Sequence, residues 1–137
     1  MKLNTTSQYA IRIVTFIVQN GSNNKYNAKD IAENLSIPYK YLTKIMSLLV
    51  EGGILVSSRG REGGYSIEKE LNTIKIGDIL EAMQESLHQE ECVLGNGPCN
   101  KKEKCTLHNK WITTKKAMQE MFVNTTLEDM ILVAKTE

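Results

Sequence analysis

Apolar residues recur at helical spacing through the first fifty positions and then give way to short runs broken by glycine. Ala10, Ile13, Val14 and Ile17 fall on one helical face, because positions three and four apart meet on a 3.6-residue turn. Thr5 with Gln8 forms a capping-box pair ahead of that face, and Asn20-Gly21 closes it. After a polar loop, Ser22 to Lys25, Asn27 is placed to cap a short second helix, Ala28 to Leu35, with Ile31 and Leu35 inward. Ser36-Ile37-Pro38 is a turn, and Pro38 suits the first position of a third helix running to about Glu51. Leu42, Ile45, Met46 and Leu49 face inward there, and Gly52-Gly53 ends it. Two short helices joined by about three residues fit a helix-turn-helix.

The period then changes. Ile54 to Ser57 and Tyr65 to Ile67 read as two short strands around the flexible tip Arg59-Gly60-Arg61-Glu62-Gly63-Gly64. A further short helix, Ile76 to about Glu85, carries Ile79, Leu80 and Met83. Beyond an irregular stretch holding Gly95, Gly97 and Pro98, the residues Leu107, Trp111, Thr114, Met118 and Met121 recur at spacings of 4, 3, 4 and 3. That heptad pattern fits a helix packed along a partner helix, and equally a single amphipathic helix lying on its own domain. Thr125 with Glu128 opens a terminal helix through about Val133. The expected fold is mainly α with a small β-hairpin wing: a winged helix-turn-helix over residues 1–75. Residues 76–137 would hold a cysteine loop and the dimerisation helices.

Charge supports that division. Residues 1–75 hold ten Lys/Arg against six Asp/Glu, and residues 76–137 hold seven against ten, within an overall net charge of +1. A basic half joined to an acidic half suggests that only the first faces a polyanion. The apolar run from Ala10 to Val18 is broken by Arg12 and lacks a cleavage site, so no signal peptide is expected. No stretch approaches the roughly 18 apolar residues of a membrane span. With three cysteines that cannot all pair, a reducing cytoplasm is the expected compartment.

The third helix has the face a major-groove reader needs: Tyr39, Lys40, Thr43, Lys44 and Ser47 lie opposite its apolar stripe. Lysine reaches guanine O6/N7 or a phosphate, and tyrosine hydroxyls bond phosphates. Such a face is also what a plain solvated helix presents, but the wing directly after it favours DNA. Arg59 and Arg61 sit in a Gly-rich hairpin that can enter a narrow minor groove, where arginine is drawn by the negative potential. The expected contact set is Tyr9, Lys29, Pro38, Tyr39, Lys40, Tyr41, Thr43, Lys44, Arg59, Gly60, Arg61 and Tyr65.

Cys92, Cys99, Cys105 and His108 fall in one short stretch that contains every cysteine of the chain, and the only other histidine is His88. Three thiolates and an imidazole make a soft donor set for an iron–sulfur cluster or a transition metal. Zinc loops usually space their ligands two to four residues apart, so gaps of six and five fit zinc poorly. Idle or redox-active thiols remain the metal-free alternative.

The chain resembles the Rrf-type winged-helix transcription regulators, most closely the iron–sulfur branch typified by IscR, with the nitric-oxide sensors of the NsrR type as relatives. Ser7-Gln8-Tyr9-Ala10, Asp30-Ile31-Ala32-Glu33, Tyr41-Leu42 and the wing Arg59-Gly60 with Gly63-Gly64-Tyr65 carry the likeness. Ile76-Gly77-Asp78, the cysteine loop and Leu127-Glu128-Asp129 extend it over nearly the whole chain. The resemblance implies a homodimer on a pseudo-palindromic double-stranded site, with crossed long helices built on Leu107, Trp111, Thr114, Met118 and Met121. It also implies one cluster per subunit on Cys92, Cys99 and Cys105, with His108 as fourth ligand and 2Fe–2S favoured over 4Fe–4S. Arg59 takes the minor-groove role. Other branches use a carboxylate where this chain has Gln8, a poor cluster ligand. Two departures stand out: the first loop gap is six residues rather than five, and Thr43 replaces an acidic residue.

The leading expectation is therefore a dimeric DNA-binding regulator with an iron–sulfur sensor. The alternatives are a cluster-free regulator controlled by thiol oxidation or a partner protein, and an iron–sulfur electron carrier that would leave a winged helix unused. No nucleophile triad, P-loop or dinucleotide-binding glycine pattern is present, so an enzyme is not expected.

Overall fold

The computed structural model describes residues 3–85, 94 and 105–136, the last five by their backbone alone. Helix α1 (Thr5–Gln19) buries Ser7, Ala10, Ile13, Val14, Ile17 and Val18. Its cap is Asn4 rather than the expected Thr5: the Asn4 Oδ1 accepts from the Ser7 amide at 2.8 Å. Gln8, instead of completing a box, donates its Nε2 to the Leu3 carbonyl at 2.6 Å. Asparagine is among the best N-cap acceptors, so it outcompetes the threonine beside it.

Helix α2 (Ala28–Leu35) starts at Asn27 as expected, with the Asn27 Oδ1 accepting from the Asp30 amide at 2.7 Å. Its buried residues are Ala28, Ile31 and Ala32, while Leu35 is only half-buried. The left-handed Ser36 (φ 54°) ends it. Helix α3 (Tyr39–Glu51) buries Leu42, Ile45, Met46 and Leu49. Pro38 is the residue before the helix, not its first turn; its ψ of 129° is extended, and its carbonyl accepts from the Leu42 amide at 2.9 Å.

The wing is an antiparallel pair, β1 (Val56–Ser58) and β2 (Gly64–Ser66), in the register Val56↔Ser66, Ser57↔Tyr65 and Ser58↔Gly64. The expected strands were offset because Ile54, Leu55 and Ile67 are core residues flanking the hairpin, not rungs of it. Tyr26 pairs with the other edge of β2 through reciprocal backbone bonds with Tyr65 at 2.9 and 2.8 Å. The glycines make this approach possible: Gly64 has φ +147°, and a Cβ there would lie 2.7 Å from the Tyr26 carbonyl oxygen.

Helix α4 (Ile76–Ala82) is shorter than the pattern suggested. It ends on the left-handed Gln84 (φ 59°), with the Gln84 amide on the Glu81 carbonyl and the Glu85 amide on the Leu80 carbonyl, both at 2.9 Å. That bonding pattern is a Schellman close. Helices α5 (His108–Asn124) and α6 (Leu127–Thr136) follow. The cap of α6 is Thr126 with Asp129, one residue beyond the expected Thr125 and Glu128: the Thr126 amide bonds the Asp129 carboxylate at 2.9 Å and the Asp129 amide bonds the Thr126 hydroxyl at 3.2 Å. Thr125 turns its hydroxyl back to the Met121 carbonyl at 2.7 Å.

One apolar core runs from Ala10 to Leu127 and takes residues from α1, α2, α3, α4 and α6 together with Ile54, Leu55, Ile67 and Ile74. Residues 74–76 and 125–127 are tied by backbone bonds at 2.9 Å, Ile76 to Thr125 and Leu127 to Ile74. The core therefore crosses residue 75, and the reading helices and the C-terminal helices are braced by the same packed interior.

Candidate functional site

The expected reading face lies at the exposed end of α3. Tyr39 is 57% exposed, and Lys40, Lys44 and Ser47 are exposed beside it. The two hydroxyls of that face are turned inward along the helix, Thr43 onto the Lys40 carbonyl at 3.0 Å and Ser47 onto the Thr43 carbonyl at 3.1 Å. With those donors committed to backbone, the protons available to an incoming acceptor belong to Lys40, Lys44 and the Tyr39 hydroxyl. Lys29 of α2 and Tyr39 flank one open groove floored by Ala32 and Ile37, so the two are brought onto one surface. Asn27 itself is occupied as the α2 cap and by the Asp30 carboxylate at 2.9 Å.

Arg59 and Arg61 are exposed at the wing tip, which turns through Gly60 (φ +107°) with the Gly63 amide on the Gly60 carbonyl at 3.0 Å. Tyr65 lies lower, where its backbone holds Tyr26, so its position serves the base of the wing. Tyr9 and Tyr41 are half-buried and packed edge to face, with ring centroids 5.6 Å apart. The Tyr41 hydroxyl pairs with Thr6 Oγ1 at 2.6 Å, and the Arg12 guanidinium lies 5.7 Å from the Tyr9 centroid. These two tyrosines join α1 to α3 instead of standing out from the surface as Tyr39 does.

A scaffold that presents an exposed basic helix face beside an arginine-tipped hairpin has a counterpart among known proteins. The model of the Rrf2 family, described as iron-dependent transcriptional regulator, matches residues 3–132. This chain belongs to the Rrf2 family. Protein rrf2 of Nitratidesulfovibrio vulgaris is 33% identical over 131 residues, covering 96% of this chain and 87% of that protein. The HTH-type transcriptional regulator IscR of Klebsiella pneumoniae is 28% identical over 131 residues, with 96% and 80% covered. Among solved structures, CymR, the global cysteine regulator of B. subtilis, has a TM-score of 0.81 at 26% identity, covering 97% of this chain and 98% of that one. T. potens IscR has a TM-score of 0.74 at 25% identity, with 98% and 88% covered. The chain is a DNA-binding transcription regulator and not an enzyme.

In this Rrf2 regulator the expected sensor ligands divide into two pairs. Cys92 and Cys99 lie outside the described residues. Cys105 is half-buried just before α5, and His108, its first residue, is 6% exposed with its amide on the Cys105 carbonyl at 3.1 Å. Cys105 and His108 thus share one turn of backbone. Among the described residues no three His, Cys, Asp or Glu side chains gather as a metal site.

Helix α5 carries more apolar surface than its own core covers. Phe122 packs against that core, and its backbone runs beside Gly77 of α4. Of the expected seam, Leu107, Thr114 and Met121 are exposed, and Trp111 and Met118 are half-buried. Ile112 (48% exposed) and Val123 lie on the face of α5 opposite that seam. No described helix is long and apolar enough to cross a membrane.

Proposed function

We propose that this regulator works in the cytoplasm as a homodimer on a pseudo-palindromic promoter site, its affinity set by an iron–sulfur cluster on Cys92, Cys99, Cys105 and His108. The observation that carries the reading is His108. A histidine buried at the head of a helix, one turn past a half-buried cysteine, costs desolvation unless it has a partner. A metal ion would be such a partner, and the family description as iron-dependent transcriptional regulator and the IscR relatives favour iron. An iron–sulfur centre when bound supplies a redox-active and detachable group, and one histidine among thiolates raises its potential. Cys105 and His108 would tie the head of α5 to that centre. Lys101, Lys102 and Lys104 in the same segment offset its negative charge. The 2Fe–2S form is favoured over 4Fe–4S.

Two-fold pairing is supported by the apolar seam residues of α5 left uncovered in the single chain, Leu107 and Met121. Pairing through Leu107, Trp111, Thr114, Met118 and Met121 would set two winged helices side by side. Lys29, Tyr39, Lys40 and Lys44 would then meet successive major grooves and Arg59 the minor groove. Residues 1–75 read DNA in this account, and residues 76–137 sense and dimerise.

The likeness to CymR favours one second reading, a cluster-free regulator answering to thiol chemistry, because that protein is named a cysteine regulator. Iron and acid-labile sulfide in anaerobically purified protein decide between them. About two of each per subunit supports the 2Fe–2S sensor. Protein that stays metal-free after reconstitution refutes it and leaves the thiol-controlled regulator.

A further inference from the structure

The first turn of α1 contains no acidic residue, although a negative charge there would oppose the positive end of the helix dipole. Glu85 supplies that charge from 81 residues away: its Oε1 accepts from the Asn4 amide at 3.0 Å. The other carboxylate oxygen is buried and has no partner among the described residues. An extended rotamer in water would avoid that desolvation, so the inward position is held by the local backbone. The cause is adjacent. Gln84 adopts the left-handed conformation usual for glycine, and the Glu85 amide is bonded to Leu80, which turns residue 85 away from the α4 axis.

The opposite side of the same helix end grips the reading helices. Asn4 caps α1 through Ser7 at 2.8 Å. Two residues on, Thr6 pairs with Tyr41 of α3 at 2.6 Å, and Tyr9 packs against the Tyr41 ring. Arg12 donates to the Leu35 carbonyl at the end of α2 at 2.9 Å, directly before the turn between the two helices. A shift of the first turn of α1 must therefore move both reading helices or break these contacts.

We infer that Glu85 is a positioning residue for DNA reading: its carboxylate anchors the first turn of α1, and through Thr6–Tyr41 and Arg12–Leu35 sets the attitude of α2 and α3. The inference rests on α3 being the reading helix but requires no cluster, so it is tested on reduced, metal-free protein.

The assay is binding to a duplex selected from a random library by the wild-type protein. Glu85→Ala is expected to weaken that binding by about three- to thirtyfold while leaving binding to unselected DNA unchanged. Glu85→Gln keeps an oxygen for the Asn4 amide but not the charge, and is expected to recover part of the loss. In a double-mutant cycle with Tyr41→Phe, which removes the Thr6 bond, the double variant should bind no worse than the weaker single, because both cut one chain of contacts. Thermal midpoints separate this from general destabilisation, whose effects would add. As a readout needing no variant, amide exchange at Asn4 and Thr6 in the wild type should slow when the selected duplex binds, since coupling is reciprocal. Wild-type affinity in Glu85→Ala, losses that multiply in the double variant, or Asn4 exchange indifferent to DNA each overturn the inference. A wild-type protein that selects no duplex overturns it together with the α3 reading face.

Discussion

The wing depends on one glycine more than on its strands. At Gly64 (φ +147°) an added Cβ would lie 2.7 Å from the Tyr26 carbonyl oxygen and 3.0 Å from its carbon. Neither neighbour can yield, because both are backbone held in the Tyr26–Tyr65 bridge. Gly64→Ala therefore combines an unfavourable backbone region, about 1–3 kcal/mol, with loss of two backbone bonds at about 0.5–1.5 kcal/mol each. The reduced freedom of the unfolded alanine chain offsets about 0.4–1 kcal/mol. The net expectation is roughly 3 kcal/mol of destabilisation, near 10 °C in Tm for a chain of this length. Gly60→Ala is the internal control. Gly60 also has positive φ (+107°), but nothing lies within 4 Å of its would-be Cβ, so only backbone preference is lost, about 1 kcal/mol. Urea unfolding at matched protein concentration measures both, matching being required because association shifts apparent stability. Equal losses at the two positions, or a Gly64→Ala protein within about 0.5 kcal/mol of wild type, would refute the claim that the close approach of Tyr26 decides this position.

Other expectations concern the surfaces. Arg59→Ala should weaken binding to the selected duplex by roughly 1–3 kcal/mol and relax preference at the minor-groove step, as titrations against base-substituted duplexes would show; unchanged preference removes Arg59 from that groove. Lys40→Ala should flatten the slope of log K against log salt by about one unit if its ammonium meets a phosphate, and leave the slope alone if it reads a base only. Met118→Glu with Met121→Glu should shift the protein to monomer in sedimentation, and a persisting dimer would place the interface elsewhere. His108→Ala should lose bound iron while keeping wild-type helical content; a variant that retains its iron excludes His108 as a ligand.

Local chemistry made several features readable. The cap at Asn27, the inward sets Ala10–Ile17 and Leu42–Leu49, and the order of helices and wing follow from side-chain type and spacing alone. The errors have a common origin. Thr125 and Thr126 both satisfy a capping pattern, and Thr5 stands beside Asn4, itself a better cap, so the pattern alone does not single out the residue that caps. Asn4 is chosen where Glu85 holds its amide, and Thr126 where Ile74 holds Leu127. Ile54, Leu55 and Ile67 read as strand residues because they are β-branched or apolar, yet they serve the core beside the hairpin.

The site divides along the same line. By itself the sequence determined the Rrf2 family, the winged helix-turn-helix, the arginines of the wing and the thiol-and-imidazole segment, since each rests on residues close together in the chain. Tertiary structure alone decided that Tyr9 and Tyr41 face each other while Tyr39 faces solvent. It also decided that Glu85 reaches the head of α1 across 81 residues. Periodicity assigns a residue to a face of its own helix, but what lies across that face is set by how the helices pack, and packing brings together positions whose separation along the chain carries no signal.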